Sequence, residues 1–350
     1  MDRKVLNIVT VLSGIFAVIL CVSLNFFPEL HEREILAAQQ EREIGNARLI
    51  ATSSNPADVV RMDESMDAQL EIGLPPELKE ENLRIENDYM TQTIYIRFSG
   101  GVDDYFNSYA IRGSCDHIAS LSYYRDDGDG VIALELDKVF ELEKNYEQGS
   151  LFLKFLSPHE VYDKVVVVDA GHGGHAPGAV RLGISEKNID LAILKQVKEL
   201  FDSDGGNIGV YYTRTTDTNP SLDQRVQLAN KSDADLFISI HNNSDSMGNF
   251  TNTSGTQVMF SESDTSELSS KRLAQICMKN VVKALNGKNQ GLLKGDKIYI
   301  IRNSKVPVAL IEIGFMTNYE ELDKLKSEDY QKKAAEGIYN AVMEAFEEGY

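Results

Sequence analysis

Cysteine is scarce in this chain. Its 350 residues hold three, Cys21, Cys115 and Cys277, and none belongs to a Cys-x-x-Cys pair. That argues against a cysteine metal site. A bridge between Cys115 and Cys277 stays open in an oxidising compartment, but the spacing does not call for one, and both read as small buried hydrophobes. Positive charge is also short: 35 Lys and Arg stand against 54 Asp and Glu, for a net −19. The deficit is uneven. Residues 29–163 carry 28 acids and 12 bases, whereas residues 164–350 carry 25 acids and 21 bases. No basic stripe exists, so the electrostatic footprint of a nucleic-acid-binding protein is missing. The acidity suits solubility and repulsion from anionic polymers. Bulk disorder is excluded as well, because hydrophobic residues make up 42% and charged residues 25%, ordinary values for a globular protein.

What is present begins with one long apolar run. Val5 to Phe27 is 23 residues without a charge, long enough to cross a hydrocarbon core of roughly 30 Å as a helix. Arg3 and Lys4 precede it, and Glu29, Glu32 and Glu34 follow. The positive-inside tendency then keeps the N-terminus in the cytoplasm and exports the rest. A cleavable signal peptide is the alternative, but the run exceeds such a core and no small-x-small cleavage site follows. Residues 5–27 are therefore expected to be a single-pass signal-anchor, with the protein in the cell membrane and its bulk facing outward. Residues 28–80 read as a juxtamembrane helix and an acidic linker, marked by Ser53-Ser-Asn-Pro56 and Pro75-Pro76.

From residue 81 to 160 the hydrophobic period changes to two. Ile94, Ile96 and Phe98 alternate with Tyr95 and Arg97, and Leu121–Tyr124 and Val131–Leu136 flank Asp126-Asp-Gly-Asp-Gly130. That is a hairpin signal inside a small all-β domain, expected to be a sandwich. Asp126, Asp127 and Asp129 suggest calcium only loosely, since the loop lacks the spacing and distal Glu of an EF-hand.

The remaining stretch, 164–350, alternates strand and helix. Strands are expected over 165–168, 207–213, 236–240, 256–260, 297–301 and 308–313, and helices between them. This is an α/β domain with a mostly parallel sheet of about six strands flanked by helices. Val165 to Val168 is short and uniformly β-branched, as a strand buried on both faces would be. It runs into Asp169-Ala-Gly-His-Gly-Gly174. Ligands of such sheets gather just beyond the carboxyl ends of the strands, and His172 stands at one of these ends. His241 leaves the second apolar run and Glu312 the third. Glu186 opens an amphipathic helix, with Ser185 as its expected N-cap. Two His and two Glu thus converge on one sheet edge. Two imidazoles and a carboxylate with an open position suit a catalytic zinc ion, and a further carboxylate suits the general base. Taken singly, each His reads as a hydrogen-bonding strand-end residue and each Glu as a salt-bridge partner; the recurrence makes the set harder to dismiss, and both readings stay open at this point.

The ordered set Asp169-Ala-Gly-His-Gly-Gly174, Gly183-Ile-Ser-Glu186, Ser239-Ile-His-Asn-Asn243 and Ile311-Glu-Ile-Gly-Phe-Met-Thr-Asn318 resembles the motif series of zinc-dependent N-acetylmuramoyl-L-alanine amidases of the amidase_3 type. Tyr212–Asp217 and Leu222–Asn230 resemble family segments in the expected order. The resemblance covers about residues 164–350. It implies zinc on His172, Glu186 and His241, and a catalytic glutamate at Glu312. It implies hydrolysis of the amide between N-acetylmuramic acid and L-alanine in peptidoglycan. Asn242, Asn243 and Asn318 match motif positions as substrate contacts, with loop capping as the open alternative. His175 departs from the pattern and is expected to be an exposed loop residue. Expected partners are peptidoglycan, the membrane through the N-terminal helix, and activator or division and sporulation proteins, with no nucleic acid. By analogy of position alone, the β domain would help to localise the enzyme to the wall. Two rival readings remain: a wall-binding or scaffolding protein on an amidase fold, and a zinc peptidase acting on stem peptides.

Overall fold

The computed structural model describes residues 68–147, 149–245 and 249–350. The expected membrane anchor at 5–27, and the juxtamembrane stretch up to residue 67, lie outside the described residues. Among the described residues no helix is long and apolar enough to cross a membrane.

The first eight strands are β1 (Leu70–Gly73), β2 (Leu83–Asp88), β3 (Thr93–Phe98), β4 (Ile111–Gly113), β5 (Ile118–Asp126), β6 (Asp129–Leu136), β7 (Glu141–Glu147) and β8 (Ser150–Leu156). They form two four-stranded sheets of order β4-β1-β8-β7 and β2-β3-β6-β5, and every pairing in them is antiparallel. Ile94, Ile96 and Phe98 on β3 and Leu151, Leu153 and Phe155 on β8 belong to one buried cluster. The sheets therefore meet face to face, and the period-two alternation sorts their residues to the two sides. Asp127 and Gly128 turn the β5–β6 hairpin with φ of 51° and 90°, the left-handed pair whose twist matches the flanking strands. Asp126 and Asp129 lie 2.7 Å and 3.9 Å from Arg97 on β3. The short helix α1 (Tyr105–Ser108) lies between β3 and β4.

One boundary needs correction. Strand β1 falls within 28–80, which the sequence reading gave to linker, yet Leu70 pairs with Gly113 on one side and Leu153 on the other. Four residues are too few for a periodic signal, and the partners that make this a strand are distant in sequence.

After the turn α2 (Pro158–Val161), the second unit contains β9 (Lys164–Ala170), the small hairpin β10 (Val180–Arg181) and β11 (Ile184–Ser185), and α3 (Glu186–Asp204). It continues through β12 (Ile208–Tyr212), α4 (Leu222–Lys231), β13 (Leu236–Asn243), β14 (Thr256–Phe260), α5 (Ser270–Leu285), β15 (Asn289–Lys294), α6 (Tyr299–Asn303), β16 (Val308–Phe315), α7 (Tyr319–Leu325) and α8 (Glu328–Glu347). The six-stranded sheet has the order β12-β9-β13-β16-β14-β15. It is mixed: β14 against β16 is antiparallel and the other pairings are parallel. Val166 and Val168 of β9 pack in one cluster with residues of α3, α5 and α8. Val165 and Val167 face the opposite cluster with residues of α4 and α6. Burial on both faces explains why β9 shows no alternation.

The expected strand at 297–301 is replaced by helix α6, and the sixth strand is β15. Ile300 and Ile301 are consecutive and both buried. In a strand they would face opposite ways, whereas here both belong to the cluster beneath the sheet. Strand β15 pairs only with β14 and is largely solvated, so an edge sequence as polar as Asn-Gln-Gly-Leu-Leu-Lys suffices. The two units touch through Glu141, which accepts hydrogen bonds from Tyr89 at 2.8 Å and from Tyr211 at 2.6 Å.

Candidate metal centre and active site

The carboxyl ends of β9, β13 and β16 lie side by side, and each delivers one group. His172 follows β9 by two residues, in the left-handed region at φ 58°. A non-glycine residue stays there only when its surroundings hold it. Two buried arginines do so. Arg214 (3% exposed) donates to the carbonyls of Ala170 at 3.0 Å and Gly171 at 2.7 Å. Arg225 (2% exposed) donates to the carbonyls of Ala170 and His172, both at 2.6 Å. Arg225 is balanced by Asp169, which also accepts from the hydroxyls of Thr213 and Ser239, each at 2.6 Å. Burial pushes the Asp169 carboxyl up, but Arg225 and the two hydroxyls outweigh it and hold the group below the usual range. Arg225 thus anchors the backbone of the His172 loop.

Glu186 is the first residue of α3. Ser185 takes the N-cap position without a side-chain bond. The free N–H groups of the first turn are met instead by the carbonyls of Ala179 and Pro177. Glu186 is 5% exposed. Its Oε1 lies 3.1 Å from Nε2 of His172 and 3.0 Å from Nδ1 of His241, and it accepts from the Asn242 N–H at 3.1 Å. Its Oε2 accepts from the Ala179 N–H at 2.8 Å. The two imidazoles stand edge to face with centroids 4.9 Å apart. Glycine is required around them: a Cβ on Gly171 would lie 2.3 Å from the His241 ring, and one on Gly178 would lie 2.5 Å from Glu186 Oε2.

Electrostatics favour positive charge at this point. Burial pushes Glu186 up, but hydrogen bonds from His172 and His241 hold it far below the usual carboxylate range. Burial lowers His241, yet its contact with Glu186 and the charge of Asp190 raise it to about 10. A cation placed here would meet the same acidic surroundings. The donor set fits zinc, since imidazole nitrogens and carboxylate oxygens are its ordinary ligands.

Glu312 lies on β16 in register with His241 on β13. It stands outside the group of mutually close donor atoms formed by His172, Glu186, Asp190 and His241. Its Oε2 is buried without a hydrogen-bond partner. Burial raises its carboxyl to about 7, against the lowering effect of His241. Asp190 is the residue that the sequence reading missed. It lies one turn beyond Glu186 on α3, and that spacing was the available signal, hidden because a polar residue there reads as an ordinary member of an amphipathic helix.

The three asparagines are anchored to the protein. Asn242 is buried and donates to Asp190 at 2.7 Å. Asn243 donates to Gln257 at 3.0 Å. Asn318 caps α7 by accepting from the Glu321 N–H at 3.1 Å. The capping alternative describes Asn318, and the burial of Asn242 suits positioning better than contact with a substrate. His175 is exposed, with a 3.4 Å contact to Asn219.

Residues 166–344 match the Amidase_3 family, described as N-acetylmuramoyl-L-alanine amidase. The chain belongs to this family. The amidase is 40% identical over 179 residues to the uncharacterized protein YqiI of Bacillus subtilis (strain 168), covering 51% of this chain and 83% of that one. It is 32% identical over 183 residues to the N-acetylmuramoyl-L-alanine amidase LytC of the same organism, covering 52% of this chain but 36% of LytC. Among solved structures, the N-acetylmuramoyl-L-alanine amidase of Clostridium difficile 630 superposes with a TM-score of 0.50 at 32% identity, over 53% of this chain and 98% of that one. The shared part is the α/β unit; the amidase carries its β sandwich outside it.

Proposed function

We propose that this protein is a membrane-anchored peptidoglycan hydrolase that cleaves the amide between N-acetylmuramic acid and L-alanine. The observation that carries this reading is the placement of Glu312. A half-buried glutamate with a buried, idle Oε2 stands in register beside His241, at the edge of a His–Glu–His donor set. A wall-binding module has no use for such a base.

His172, Glu186 and His241 would hold zinc, which would supply Lewis-acid activation of a water and of the scissile carbonyl. The chain's own residues do the remaining work. Glu312 accepts a proton from the attacking water as its oxygen bonds to the carbonyl carbon. It returns that proton to the alanine nitrogen as the carbon–nitrogen bond breaks. A carboxyl poised near neutrality suits both transfers. Arg214 and Arg225 keep His172 in its left-handed conformation, and Asn242 steadies Glu186 through its backbone N–H.

Product analysis tests the reaction. Zinc-loaded protein incubated with purified peptidoglycan should release stem peptides with a free N-terminal alanine, read by mass spectrometry. Peptides cut within the stem would instead support the peptidase reading, and an absence of released peptide would support the binding module.

A further inference from the structure

Asp190 has no role in the reaction just described, yet it is placed at the same point. One helical turn separates it from Glu186, so both carboxylates leave the same face of α3. Asp190 is wholly buried at 0% exposure. Its Oδ1 accepts from Asn242 Nδ2 at 2.7 Å, and its Oδ2 is buried with no hydrogen-bond partner. One of its oxygens lies within 4.8 Å of donor atoms of His172, Glu186 and His241. A carboxylate buried with an idle oxygen costs stability unless something else answers its charge.

We infer that Asp190 is the charge-balancing carboxylate of the metal centre, holding a divalent cation by its negative charge and taking no part in proton transfer. This rests on the zinc reading above. Two neutral imidazoles and Glu186 set one negative charge against the two positive charges of the ion. Asp190 brings the second, so the ion and the group formed by His172, Glu186, Asp190 and His241 sum to zero, with Glu312 standing outside that group as the proton acceptor. Asn242 couples the two carboxylates: its backbone N–H reaches Glu186 and its side chain reaches Asp190. Partners behind the metal ligands commonly tune affinity in this way.

The test is equilibrium zinc binding by chelator competition, together with thermal unfolding with and without zinc, on the purified full chain. Asp190→Asn keeps an acceptor for Asn242 and removes only the charge. It should bind zinc about 10–100-fold more weakly than the parent protein and gain less thermal stability from zinc. Its zinc-free form should be about as stable as the parent, because Asn fills the same space and keeps the bond from Asn242. Affinity within about twofold of the parent overturns the inference, as does a zinc-free Asp190→Asn protein that is destabilised while its affinity is retained. If Asp190→Asn does not fold, Asp190→Ser takes its place. In a zinc-loaded structure of the parent protein, an Asp190 whose second oxygen, Oδ2, is turned to a protein donor rather than towards the ion likewise contradicts it. A parent protein that binds no zinc overturns the underlying zinc reading, and that outcome is separate from a variant that binds normally.

Discussion

At the scale of single residues, the site depends on a charge that never meets the substrate. Asp169 is buried beneath the His172 loop and shared among Arg225, Thr213 and Ser239. Its folded carboxyl lies below the unfolded value of about 3.9. A depressed carboxyl contributes stability that is complete above the unfolded value and is lost as pH falls through the folded one. Asp169→Asn removes this contribution and leaves Arg225 buried without its counter-charge. The variant should lose about 3–5 kcal/mol at neutral pH. Urea unfolding between neutral pH and pH about 3 checks this, since the parent protein should weaken more steeply than the variant below about pH 4. Parallel pH profiles would show that Asp169 is not ionised against Arg225. The sequence showed Asp169 and Arg225 as motif members, but not that they are partners. Fifty-six positions separate them, and only the parallel pairing of β9 and β13 brings Ser239 to the same carboxylate.

At the scale of elements, legibility followed burial. Strand β9 could be read because a strand covered on both faces must be apolar throughout, and β3 because one buried face leaves an alternation. The β5–β6 hairpin could be read from Asp127-Gly128, whose positive φ values the turn requires. Elements held by partners rather than by their own pattern could not be read. Strand β1 is too short, β15 is too polar, and the apolar run at α6 suits either structure until its two adjacent buried isoleucines are seen. The same distinction applies to the site. That His172, His241 and Glu312 come together was legible from strand-exit placement, and Glu186 from its place at the start of a helix and from motif order. Asp190 was not, because its importance lies in what it faces.

At the scale of the whole molecule, the acidic β sandwich and the amidase unit are joined by the Tyr211–Glu141 bond, by Lys231 against Gln92 and the Val139 N–H, and by packing around Val139, and an apolar run lies ahead of both in sequence. We propose that residues 5–27 anchor the chain in the cell membrane, with the active site facing the wall. The full chain should then sediment with membranes and be released by detergent but not by high salt, whereas a chain lacking the first 27 residues of the sequence should stay in the supernatant. Release by salt alone would point to peripheral attachment. We propose that Glu312 does the chemistry while the His–Glu–His set holds the ion. The most direct test is Glu312→Gln, measured for bound zinc and for peptidoglycan hydrolysis in the same preparation. Zinc should be retained at the parent level and hydrolysis reduced by about 10²–10⁴-fold. A variant that loses its zinc, or that keeps cleaving at the parent rate, would contradict it.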